Sequence, residues 1–152
     1  MQRKSLLMVI LFLVFLVQVI NAQEAKIISL SNDGNQIILL THVGELLSAT
    51  SGKNSSISDK VEQAVLSPDA TKIVYRVGQK GGIWVVDVNG TGNKQLTTDD
   101  GAYLNWSPDG TKIGYFTGTF SEEGLEIAVI RLDLATGTKT KLWSKFYPKH
   151  KP

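Results

Sequence analysis

Cysteine and histidine, the residues most often recruited for nucleophilic and proton-transfer chemistry, are scarce in this 152-residue chain. There is no cysteine and there are two histidines, His42 and His150. The missing thiol excludes disulfides, Cys-ligated zinc, a catalytic thiolate and a lipidated N-terminal Cys. His42 lies beside Val43 and Gly44 in a predicted loop, and His150 lies in the last residues. Nothing near either one would orient an imidazole for proton transfer, so both read as surface residues. No nucleophile elbow, phosphate loop or His pair at metal-ligand spacing occurs. The expectation is no catalytic residue, no metal and no cofactor.

The charged residues that remain suit contact better than catalysis. Asp99-Asp100-Gly101 and Ser121-Glu122-Glu123-Gly124 are short acidic loops. They could face a cation or a basic partner, but they lack the ligand spacing of a calcium loop and read first as solvated turns. Lys139, Lys141, Lys145, Lys149 and Lys151 crowd the end of the chain without an acid among them, the pattern of a solvated basic tail. The formal net charge is +2, and Arg3 and Lys4 supply that excess. A chain without a basic field beyond its first residues is a poor nucleic-acid binder, and none is expected as a partner.

Residues 1–22 read as an export signal. Arg3 and Lys4 precede an apolar run from Leu6 to Val17, and small Ala22 follows Gln18. The run falls short of the roughly 20 apolar residues that span a bilayer, so a cleaved secretory signal is expected, with no stable membrane insertion afterwards. The mature chain is then periplasmic or secreted.

The rest is a repeat. Ser31-Asn32-Asp33-Gly34, Ser67-Pro68-Asp69-Ala70 and Ser107-Pro108-Asp109-Gly110 are versions of one tetrapeptide, spaced by 36 and 40 residues. After each comes an apolar strand, a Gly-containing loop, a second strand, a turn ending in Gly52, Gly90 or Gly137, and a last short strand. Valine, isoleucine, tyrosine and tryptophan fill these strands, and no helical period is sustained. The expected fold is all-β: units of four antiparallel strands every ~40 residues, as in propeller blades. The tetrapeptide is a chain reversal. Pro68 and Pro108 preset the first corner, Asp69 and Asp109 accept a backbone hydrogen bond two residues on, and Gly110 takes the left-handed position. Those five residues are therefore structural, and Ala70 stands where glycine is wanted. Trp84, Trp106 and Trp143 fall in strands and are expected to pack between units.

Leu104-Asn105-Trp106-Ser107-Pro108-Asp109-Gly110, with Ile83-Trp84-Val85-Val86-Asp87 and Gln95-Leu96-Thr97, resembles the WD-like repeat of TolB-type periplasmic propellers. The same repeat occurs in prolyl-oligopeptidase-like propeller domains. The resemblance implies an open or partial propeller of about three blades over 23–145, at 26–60, 61–99 and 100–145. Residues 146–152 then form an irregular basic tail that begins a fourth blade and stops. It also implies that loops Val77–Gly82, Thr98–Gly101 and Thr117–Gly124 share one face. Gln79, Lys80, Asp99, Asp100, Phe120, Glu122 and Glu123 on that face are the candidate partner contacts.

The expected function is a non-enzymatic interaction scaffold with envelope proteins as partners, and a homodimer could close a six-bladed ring. The alternatives are the truncated N-terminal propeller of a secreted peptidase lacking its catalytic domain, and a remnant without function.

Overall fold

The computed structural model describes residues 25–30, 36–41, 44–50, 53–58, 60–78 and 81–149. The signal segment 1–22, the first tetrapeptide, His42, Gln79, Lys80 and His150 lie outside the described residues. Every regular element among the described residues is a strand, and the strands form three four-stranded antiparallel sheets. Sheet one contains β1 (Ala25–Leu30), β2 (Gln36–Thr41), β3 (Leu46–Thr50) and β4 (Lys53–Ser58). Sheet two contains β5 (Val61–Leu66), β6 (Lys72–Val77), β7 (Gly82–Asp87) and β8 (Lys94–Thr97). Sheet three contains β9 (Gly101–Trp106), β10 (Lys112–Phe120), β11 (Gly124–Asp133) and β12 (Lys139–Pro148). Each sheet is a meander in chain order, and the first strands β1, β5 and β9 adjoin one another. The result is an unclosed stack of three blades.

Alternation of side chains along each strand gives a sheet two usable faces, and the stack buries them in sequence. Ile38 and Leu46 of sheet one meet Val61, Ala64, Ile73, Tyr75 and Val86 of sheet two. Val74 and Ile83, on the opposite face of sheet two, meet Leu104, Trp106, Ile113, Tyr115, Ile130 and Leu132 of sheet three. Trp106 also donates its indole N–H to the Val65 carbonyl across that boundary at 3.0 Å. Trp84 is half-buried against the first of these clusters and donates to the Gly81 carbonyl at 2.7 Å. Trp143 departs from expectation. It lies on the face of sheet three turned away from sheet two and is 49% exposed.

The two described tetrapeptides form the same turn atom for atom. Ser67 Oγ donates to Asp69 Oδ1 at 2.6 Å and accepts from the Lys72 N–H at 2.9 Å, while Asp69 accepts from the Thr71 N–H at 3.1 Å. Ser107, Asp109, Thr111 and Lys112 repeat this network. The Ser67 and Ser107 hydroxyls, then the Thr71 and Thr111 groups, hold the Asp69 and Asp109 carboxyls below the usual carboxylate range. Gly110 has φ 69° and Ala70 has φ 58°, so the alanine occupies the left-handed region that glycine occupies freely.

A second departure concerns the end of the chain. Phe146, Tyr147 and Pro148 are not an irregular tail: they pair with Glu126, Leu125 and Gly124 as the end of β12. The physical reason is that β10 and β11 continue past the length of their counterparts in sheet two, which gives residues 144–148 a ladder to join.

Two stability changes are expected. Ala70→Gly should raise the unfolding free energy by about 1 kcal/mol through relief of the left-handed alanine, read as a higher urea midpoint at unchanged slope. Trp106→Ala should cost about 3–5 kcal/mol in the same measurement, because it empties the centre of the second sheet boundary.

Candidate functional site

The connections sort to two ends of the stack. At one end the tetrapeptide turns of blades two and three bond the turns between their third and fourth strands: Val88 N–H donates to the Thr71 carbonyl at 3.0 Å and Leu134 N–H to the Thr111 carbonyl at 3.1 Å. At the other end the loop between second and third strands bonds the connection between sheets. Val61 N–H donates to the Gly44 carbonyl at 2.7 Å, and Gly78 N–H donates to the Lys60 carbonyl at 3.1 Å. Gly82 lies against Thr97 and Thr98 so closely that a side chain there would strike the Thr97 carbonyl, which fits its φ of 75°. Residues 44, 60, 78, 82 and 98 therefore share one end, and the Gly101–Thr117 pairing puts the extension of β10 at that end too.

The acidic residues at this end fall into two kinds. Asp99 is engaged within the structure: it accepts from Tyr115 Oη at 2.6 Å and from Lys139 Nζ at 2.9 Å, joining the inter-sheet connection to two strands of sheet three. Burial opposes its charge, but the bonds from Tyr115 and Lys139 outweigh burial and hold the carboxyl below the usual range. Burial, then the Asp99 bond, pushes the Tyr115 hydroxyl well up, so it stays a donor. Asp100 accepts from Arg76 at 2.9 Å, and Arg76 also pairs with Glu62. Glu122 and Glu123 are of the second kind: they are exposed, and no ion pair engages their carboxylates among the described residues. Phe120 beside them is 82% exposed.

A larger apolar surface escaped the sequence reading. Tyr103, Phe116, Trp143 and Tyr147 of sheet three are all exposed on the face turned away from sheet two. Tyr103 and Phe116 meet edge to face at 5.9 Å between ring centres, and Lys145 Nζ stands 5.0 Å from the Tyr147 ring centre. The signal was present as the alternation Gly114, Phe116, Gly118, Phe120, but a short two-residue period does not say which face lacks a neighbour. Among the described residues no group of three or more His, Asp or Glu is placed to hold a metal ion.

Asp99→Asn gives the pH test of this end. A carboxyl depressed in the folded state stabilises above the ordinary carboxylate range and loses that contribution as pH falls through it. The variant should be less stable than the parent at neutral pH in urea denaturation, with the gap narrowing as the solution is acidified.

No family model matches the chain, and no curated protein matches it. Solved structures do. Acylaminoacyl peptidase of Pyrococcus horikoshii superposes with TM-score 0.61 at 11% identity, over 83% of this chain and 25% of that one. TolB from Acinetobacter baumannii gives 0.56 at 15% identity, over 79% and 32%. The β-propeller domain of the trilobed protease from Pyrococcus furiosus, described as having an open velcro topology, gives 0.56 at 13%, over 82% and 44%. The chain spans between a quarter and less than half the length of each of these. At such identities the likeness is one of fold: the chain is built of the four-stranded blade that TolB and the peptidase propellers share.

Proposed function

We propose that the chain is an exported, non-enzymatic propeller scaffold that binds proteins of the cell envelope through the loop end of its stack. The observation that carries this reading is the bonding of the β2–β3 and β6–β7 loops to the connection between sheets one and two, Gly44 to Val61 and Lys60 to Gly78. Loops held in this way present a surface whose ordering cost is met before a partner arrives. The exposed Phe120, with Glu122 and Glu123, supplies an aromatic anchor and free charge at that end. The first 22 residues supply the route out of the cytoplasm. Asp99 is committed to Tyr115 and Lys139, and Asp100 to Arg76, so these two carboxylates serve the structure of that end.

A photo-crosslinking residue in place of Thr98, with Thr136 at the opposite end as control, tests the reading in an exporting bacterial host. A discrete adduct with an envelope protein from Thr98 and none from Thr136 is expected. Equal adducts from both sites, or hydrolytic activity of the purified chain, would overturn it.

A further inference from the structure

Sheets one and two each offer their outward face to the next sheet through matching positions. A bulge in the pairing of third and fourth strands falls at Ile57, Leu96 and Leu142 in the three sheets. Ile57 and Leu96 pack on the following sheet, whereas Leu142 is 56% exposed. The rest of the third face is not a copy of the second. Where sheet two has Val65, Val74 and Val85 against its neighbour, the same pairing positions of sheet three hold Asn105, Gly114 and Arg131. Where sheet two has Arg76 and Thr97, sheet three has Phe116 and Trp143. The apolar and polar halves have changed places, so a further blade of the same kind would bury Arg131 and Asn105 against apolar side chains.

The face is instead complementary to itself. Gly114, Phe116, Gly118 and Phe120 alternate along it on β10, and a side chain at Gly114 would meet nothing within 4 Å. Thr117 and Ala128 are paired and mark one row of the sheet. A two-fold axis along that row sets Phe116 of each copy over Gly118 of the other, and Phe120 over the open Gly114. It sets Ile127 over Val129 and Trp143 over Lys145, since Ala128 is also level with Ser144. Arg131 then falls beside Leu125 and the Glu122–Glu123 turn. The charges agree: among the described residues no ion pair engages Arg131 or Lys145, and none engages the carboxylates of Glu122 and Glu123.

We infer that this chain forms a two-fold dimer by stacking the outward faces of its third sheets antiparallel, with two Phe knobs entering two Gly hollows and Arg131 meeting the acidic turn of the second copy. Faces stacked this way lie about 10 Å apart with strands within about 30°. The inference goes beyond the scaffold reading: it takes Phe120, Glu122 and Glu123 into the dimer and leaves the loop end to the segments around Gly78 and Thr98.

Sedimentation equilibrium of the chain, expressed in full in an exporting host and purified as recovered, tests it. The parent should be a dimer. Phe116→Ser, Phe120→Ser and Gly114→Trp should each raise the dissociation constant about tenfold or more. Arg131→Glu should weaken the dimer, and adding Glu122→Arg with Glu123→Arg should restore it. Phe120 is exposed enough that its variant folds whatever the others do, as near-ultraviolet circular dichroism will report. A monomeric parent overturns the inference. So does a dimer that none of these changes weakens. A dimer lost with Phe116→Ser and weakened by Arg131→Glu, the latter not restored by Glu122→Arg with Glu123→Arg, also overturns it, as closure of a six-bladed ring would give. Thr98 adducts should survive Phe116→Ser, Gly114→Trp and Arg131→Glu, which lie outside the partner surface, so with these variants the two readings fail separately.

Discussion

Everything in this molecule depends on one sheet burying the face of the next. With no helix to cover them among the described residues, the apolar flanks of sheets one, two and three have only each other. Ile73 and Val74 are neighbours in β6, both fully buried, and they point to opposite boundaries. A central sheet must therefore be apolar on both faces, and β6 reads Ile-Val-Tyr where a half-solvated strand would alternate with polar residues. Stability is a sum of neighbour terms in such an array, and the terminal faces differ from the internal ones.

Polar side chains set the geometry of that stack. Ser67-Asp69 and Ser107-Asp109 close identical turns, and Lys72–Asp87 at 2.5 Å and Lys112–Asp133 at 3.9 Å bridge second and third strands just above them. These pairs are exposed and individually weak. Their value is in register: they fix where each strand begins, and a slip of one residue would turn every Ile and Val to the wrong face. The Tyr115–Asp99–Lys139 group serves at the second boundary, where it fastens the connection from sheet two onto sheet three. Tyr75, the counterpart of Tyr115 in sheet two, bonds Asn93 instead, at 2.8 Å.

The third sheet shows how a repeat departs from itself. Its second, third and fourth strands run to 9, 10 and 10 residues against 6, 6 and 4 in sheet two. The added length carries Phe120, Leu125, Phe146 and Tyr147 beyond the region that the stack uses. Lysines at 139, 141 and 145 and the bulge at Leu142 blunt the free edge of β12 against strand addition, while its face stays apolar. An edge closed to pairing beside a face rich in aromatic rings suits stacking better than extension of the sheet.

The sequence determined what is local or periodic: strands from alternation and β-branched residues, turns from Ser-Pro-Asp-Gly, four strands per repeat from the spacing of those turns. It also marked Ala70 as a misfit, because the left-handed requirement belongs to the turn itself. Tertiary structure decided what depends on who stands beside whom. Asp99 and Asp100 look like free loop carboxylates in the chain, yet Tyr115 lies 16 residues from Asp99, Lys139 lies 40 away, and Arg76 lies 24 from Asp100. Trp106 and Trp143 are alike as strand tryptophans, and only the stack buries one and leaves the other open. Burial is a property of both surfaces at a contact, and a sequence specifies one surface at a time.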